Sequence, residues 1–344
     1  MRRRDFLRRA GIGAAGAAAL VVLDPFARVP GAVGPGGVGP LRRTVCGMGT
    51  WIHLTAVPDG TDGADASVDA ALGEVAEVDR LMSAHRADSD LSRIHRAAGG
   101  MARVDARTLA VAEAGLAYAE MTGGALDPTV LPLMRFWGFM GQRDVLPRPG
   151  DLGPVLERVG YRQALIRDGQ VGLRQAGGEL DFGGIAKGYG VDRAVAQLRR
   201  GGVVNAFVEA GGDLYAAGQP DPTRRWRVGI RDPRRPDRLF ATLEVKDEAV
   251  ATSGGYEKFR VVGGRRVAHL IDPRTGQPAE EVLSATVLAP TAMEADALAT
   301  ATYILGVRAG LDLVRQRPGV EGVWVTADGL RWVSPGLTGR IRWV

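Results

Sequence analysis

Hydrophobic positions recur along this chain with two periods, and the periods come in blocks. From Thr44 to Val57 apolar and β-branched residues alternate with polar ones, which predicts a first strand. Val68, Leu72, Val75, Val78 and Met82 then fall at helical spacing and predict a helix over 66–84. A second helix is expected over 105–122, opened by Asp105 as its N-cap and stopped at Gly123. Short strands are expected at 164–173 and 179–182, followed by a helix over 186–199 entered through Gly183-Gly184. From 203 to 289 the period is mostly two, with strands expected at 203–209, 213–217, 226–231, 239–246, 257–263, 266–271 and 283–289. Helices follow at 293–305 and 308–315, and 322–344 reads as two or three terminal strands. Strands in runs, set apart from helices, predict an α+β fold with largely antiparallel sheets and flanking helices. No G-x-G-x-x-G follows the first strand, so a Rossmann dinucleotide site is not supported.

The N-terminus breaks both periods. Arg3-Arg4-x-Phe6-Leu7 is a twin-arginine pattern, and the apolar run Ala10–Leu23 after it is 14 residues long. That run is short of the ~20 residues needed to span a bilayer, so it reads as the core of a signal peptide. Residues 1–29 are therefore expected to be a twin-arginine leader, 30–43 a Gly/Pro linker and 44–344 the folded domain. The expected location is periplasmic or otherwise extracytoplasmic, with membrane association allowed.

Charge changes the picture only by its distribution. The chain carries +5 overall while residues 1–43 carry +6, so residues 44–344 come to −1. The basicity belongs to the leader. No basic stripe with interleaved aromatics follows it, so no nucleic-acid partner is expected. At 45% apolar and 24% charged, the composition is that of a globular protein, and the expected state is a monomer. The single cysteine, Cys46, cannot form an intramolecular disulfide and is expected to be a buried structural thiol, with His53 on the opposite face of its strand.

Several segments carry candidate chemistry. Asp296 and Thr300 stand four apart on a predicted helix, so both oxygens leave one face, among Ala295, Ala297, Leu298 and Ala299. One carboxylate and one hydroxyl suit a hard cation that keeps some waters and shares phosphate ligands, as magnesium does. Asp181-Phe182-Gly183-Gly184-Ile185-Ala186-Lys187 offers free amides and a cation at a helix start, which suits phosphate. Asp213 follows Gly211-Gly212 at the end of a strand. His269 lies on a strand before the turn Asp272–Gly276; such a histidine is more often a core residue than an acid–base group. Phe136-Trp137-Gly138-Phe139 would stack on a flat ring or simply pack a core.

Taken in order, Met48-Gly49-Thr50, Ser89 to Arg93, Asp127-Pro128-Thr129, Asp181 to Asp192, Gly211-Gly212-Asp213, Thr252-Ser253-Gly254, His269 to Gly276 and Asp296 to Thr300 resemble the motifs of the ApbE family of FAD:protein FMN transferases. Each motif is short, but the ordered set covers residues 44–306 and is specific. The resemblance implies a two-lobed single domain that binds FAD and Mg²⁺ and transfers FMN to a threonine hydroxyl, releasing AMP. The acceptor would be a threonine-bearing subunit of an exported flavoprotein. By the same resemblance Asp296, Thr300 and the Ala186 carbonyl hold the metal. Met48, Asp127, Lys187 and Ile271 lie among the flavin-nucleotide contacts, and Asp213 and His269 support catalysis. The base is left open between His269 and a carboxylate. Three positions depart from the family pattern: Glu209-Ala210 before Gly211, Gly255 after Ser253-Gly254, and His95, where an asparagine is common. The alternatives are an FAD pyrophosphatase using the same metal and an exported FAD-binding protein.

Overall fold

The computed structural model describes residues 20–23, 39–60, 63–97, 99–141, 148–262 and 264–344. Eight strands build the main sheet: β1 (Leu41–Gly47), β2 (Thr50–Val57), β3 (Asn205–Ala210), β4 (Asp213–Ala217), β5 (Glu248–Gly254), β6 (Val282–Ala289), β7 (Glu321–Thr326) and β8 (Arg331–Val333). They lie in chain order from one edge to the other, each antiparallel to the next. Four longer helices flank them: α1 (Ala64–Met82), α2 (Ala106–Met121), α3 (Ala186–Arg200) and α4 (Ala292–Arg315).

The strand period of two explains the layering. Val208 and Ala210 of β3 turn to one face and join the core formed with α1, α3 and α4. Phe207 turns to the other face and packs on Trp226, Val228 and Leu243 of a second sheet. That sheet runs in the order Leu20–Leu23, Trp226–Asp232, Arg235–Val245, Ile341–Trp343. A smaller lobe holds α2 and a three-stranded sheet of Met101–Arg103, Gln170–Leu173 and Ala164–Arg167. Helix α4 serves both lobes, with Leu298 in the main core and Ala297 and Ala301 in the smaller one. The α+β, largely antiparallel expectation holds.

Local differences have local causes. The strand expected over 44–57 is a hairpin, because Met48 and Gly49 take positive φ (51° and 72°) and reverse the chain. Alternation alone carries straight across such a turn. Cys46 is exposed, contrary to expectation, because β1 is the edge strand of the sheet. Residues 179–182 form no strand. The expected leader lies outside the described residues except for Leu20–Leu23, which pair with Arg227–Ile230. The two helices expected at the C-terminal end are both present and run together as α4, divided at the non-helical Gly306 (φ 80°, ψ 175°), where Glu281 accepts from the Val307 N–H at 3.1 Å.

Candidate active site

Helices α3 and α4 start side by side. Only glycine fits at position 188: a Cβ there would lie 2.1 Å from the Ala292 carbonyl oxygen. This contact brings Lys187, on the first turn of α3, against the first turns of α4. The Lys187 ammonium hydrogen-bonds Asp213 and lies 3.4 Å from Asp296 Oδ1. Asp296 Oδ2 accepts the Gly188 N–H at 3.1 Å. One turn further along α4, Thr300 Oγ1 lies 3.2 Å from Ser253 Oγ at the end of β5.

Asp213 is delivered by the Gly211-Gly212 turn between β3 and β4, where both residues have positive φ. Glu209 supports that turn from the opposite face of the sheet, accepting the Gly212 N–H at 2.6 Å through Oε1. At this departure from the family pattern, a buried carboxylate thus holds the turn by its backbone.

The electrostatics are unbalanced. One ammonium serves two carboxylates, and more acids stand around it. Burial, followed by the charge of Asp296, pushes the Asp213 carboxyl upward, against the pull of Lys187 bonded to it. Glu257, on the turn after β5, is pushed up to about 8 by burial and then by Asp213; its Oε1 is buried with no hydrogen-bond partner. Burial raises Glu209 to about 7. For Lys187 burial works against the ammonium, but Asp213 and Asp296 beside it hold its pKa well above the ordinary value.

His269 is different. Burial, reinforced by Lys258, lowers it to about 3, so it is neutral. Its Nδ1 lies 2.9 Å from the Lys258 carbonyl oxygen, which can only accept. Nδ1 therefore carries the proton and Nε2 offers a lone pair. Phe139 packs against the ring at 6.4 Å. Its neighbours Phe136 and Trp137 lie in a core cluster with Ile271, and Trp137 Nε1 donates to the Gly276 carbonyl at 2.7 Å.

The remaining predicted contacts are placed by the loops. Met48 packs its sulfur toward Gly190 of α3, where an added Cβ would lie 3.1 Å away. The Ile271 side chain is buried, so any contact it makes outside the core is through its backbone. Asp127 has both oxygens engaged: Oδ1 accepts from the Thr129 N–H and hydroxyl, and Oδ2 from the Tyr161 N–H. It shapes the loop and offers no free oxygen.

The other two departures are also accommodated. His95 Nε2 accepts the Leu180 N–H at 2.8 Å, a backbone contact within reach of an amide side chain. Gly255 is required because a Cβ there would lie 2.6 Å from the Tyr303 hydroxyl. Sequence reading placed Ser253 and Asp192 within its motifs without giving either a role, and it missed Glu257 as a member of this neighbourhood. Glu257 carries no signal in a sequence, since nothing there marks it as desolvated.

The donors fit a hard cation. Asp296, Thr300 and the backbone at Ala186 would all offer oxygen, and several acids crowd around the single ammonium of Lys187, a crowding that a bound cation would relieve. Among the described residues there is no group of three or more His, Cys, Asp or Glu that would cage a metal alone. Such a site would rely on waters and substrate phosphates, as magnesium sites do. Two surface hollows lie elsewhere, one among Asp232, Arg234 and Arg331, the other beside Arg317 and Ser334. Neither contains the titratable cluster, and it is the convergence of charge that marks the site.

Comparison with known proteins identifies the family. The family model described as the ApbE family matches residues 48–324. An FAD:protein FMN transferase of Treponema pallidum is 37% identical over 299 residues, covering 80% of this chain and 83% of that protein. The one from Salmonella typhimurium is 31% identical over 269 residues, covering 75% and 77%. The crystal structure of an ApbE protein from Thermotoga maritima superposes with a TM-score of 0.82 at 32% identity, covering 88% of this chain and 99% of that one. The flavin transferase ApbE from Vibrio cholerae gives 0.78 at 30% identity, with the same coverage.

Proposed function

Because this chain belongs to the ApbE family, we propose that it moves FMN from FAD onto a threonine hydroxyl of an acceptor protein, with magnesium and with release of AMP. The observation that carries the reading is Lys187 set between Asp213 and Asp296, beside a neutral His269. It is an enzyme, an FAD:protein FMN transferase like the relatives it matches. The finer steps follow from chemistry.

The threonine oxygen attacks the phosphorus of the FMN half. The bond to the bridging oxygen breaks, AMP leaves with that oxygen, and the hydroxyl proton goes to a base. Phosphoryl-type transfer of this kind depends on charge neutralisation and positioning. Asp296, Thr300 and the Ala186 carbonyl would hold magnesium, which when bound supplies Lewis-acid stabilisation of the pyrophosphate. Lys187 adds a fixed cation, held in place by Asp213. Met48, Ile271 through its backbone, and the loop shaped by Asp127 would line the nucleotide. His269 presents Nε2 as the proton acceptor. A pyrophosphate beside it would raise its basicity from the value that burial imposes. The twin-arginine leader would export the folded chain, and the acceptor would be an exported flavoprotein subunit.

The test uses FAD, Mg²⁺ and a threonine-bearing acceptor peptide. Flavin fluorescence that survives on the peptide in a denaturing gel, with one AMP per label, is the expected result. AMP with free FMN and no label would mean a pyrophosphatase instead. Asp296→Ala is expected to abolish both products; full turnover at limiting Mg²⁺ would remove the proposed metal site.

A further inference from the structure

Asp192 stands one and a half turns along α3 from Lys187 and has no place in the reaction above. Its two carboxylate oxygens are both spent on the other helix. Oδ1 accepts the Ala292 N–H at 2.8 Å and Oδ2 the Met293 N–H at 2.9 Å, the first two amides of α4. The grip is returned. Asp296 of α4 accepts the Gly188 N–H of α3 at 3.1 Å. Each helix thus lends one carboxylate to the N-terminal amides of the other, and Gly188 lets the two backbones meet. The amides at helix starts lack intrahelical partners, so each bond also satisfies an orphan donor.

The two bonds of Asp192 do something that an ordinary cap does not. Helix α4 already has its own cap: Thr291 accepts the Glu294 N–H at 3.2 Å. Asp192 instead fixes the rotation and rise of α4 relative to α3. Those two quantities set the distance between the Ala186 carbonyl on one helix and Asp296 and Thr300 on the other. The Gly188 N–H holds Asp296 Oδ2 and thereby fixes the orientation of the whole carboxylate.

We propose that Asp192 is a positioning residue for the metal site, acting across the helix pair to hold the donors of α3 and α4 in register. This rests on the metal reading of the previous section. Asp192 touches neither the metal nor FAD. Its carboxylate converts two separate helix starts into one rigid frame, and without it the donor spacing becomes loose.

The experiment is Mn²⁺ binding to the full chain in the presence of ADP, followed by calorimetry or by loss of the free-ion resonance, for wild type, Asp192→Asn, Thr291→Ala and Asp296→Asn. Asp192→Asn is expected to weaken Mn²⁺ by roughly 10–100-fold, the range for residues that orient metal ligands. In that variant kcat should recover at saturating metal, so that the loss sits in the metal requirement. Thr291→Ala removes a cap from the same helix and is expected to leave Mn²⁺ binding unchanged. Should the asparagine variant not fold, Asp192→Glu keeps the charge but displaces the carboxylate, and the same loss is expected. Wild-type affinity in a folded Asp192 variant, with Asp296→Asn weakened, overturns the role of Asp192 alone. An equal loss in Thr291→Ala also overturns it, since general fraying would then explain the effect. Equal binding by wild type and Asp296→Asn overturns the metal site, and this inference with it.

Discussion

Two helices begin at the same place in this molecule, and they are finished differently. The start of α4 is closed by Thr291 from its own chain and by Asp192 from its neighbour. The start of α3 has no side-chain cap of its own; Ile185 precedes it, and Lys187 lies in its first turn. A capped start is finished structure. A start held only by Asp296 from across, beside a lysine, keeps positive charge for something from outside. The difference separates the acids too. Asp192 and Glu209 hold backbone amides and Asp213 faces the ammonium, while Asp296 does both.

The largest effect short of removing Asp296 should come from pressing the two starts apart. Gly188→Ala places a methyl against the Ala292 carbonyl, and neither backbone can give way cheaply. It is expected to cost about 2–3 kcal/mol of stability, read from denaturant unfolding, with flavin transfer lost. Unchanged activity would show that the close contact is incidental.

A smaller effect tests whether an acid that holds amides is separable from one that faces the cluster. The Glu209 carboxyl is raised from its ordinary 4.5 to about 7 by burial. Between those values the folded state binds a proton that the unfolded state has released, so stability falls as pH rises through the window. The loss is at most about 3 kcal/mol, at about 1.4 kcal/mol per pH unit. Glu209→Gln keeps an oxygen for the Gly212 N–H and cannot titrate. Its unfolding free energy should change less from pH 4.5 to 7.5 than that of wild type. Parallel profiles would show that Glu209 does not carry this proton.

Least of all should be felt at Thr291. Replacing it with alanine removes one cap from a start that has a second, and about 1 kcal/mol is expected by thermal unfolding, with turnover intact.

Much of this was legible in the sequence. The spacing of Val68 to Met82 was readable as a helix because burial on one face imposes it, and β3 still read as a strand although Phe207 and Val208 are buried on its two opposite faces. Asp105 was readable as a cap because its partner, the Arg107 N–H, is two residues away. Lys187, Asp213 and Asp296, which the structure brings together, were readable because they sit in ordered motifs. What stayed hidden lies in long-range pairing. The Asp192 carboxylate and the amides it holds are one hundred residues apart. Glu257 looks like any surface glutamate until the fold buries its Oε1. The reversal at Met48-Gly49 was missed because the alternation continues on both sides of it. The exposure of Cys46 depends on β1 being an edge, which only the assembled sheet decides.

The break at Gly306 makes α4 two objects in one. Glu281 supplies the Val307 amide with an acceptor, so the segment beyond the break has its own cap and does not lean on the turn before it. Fraying that enters from Arg315 can therefore stop at Gly306, while the turns bearing Asp296 and Thr300 stay closed. In amide hydrogen exchange the two segments should open as separate units, the one after Gly306 faster. The helix end that meets solvent is mechanically insulated from the end that carries Asp296 and Thr300.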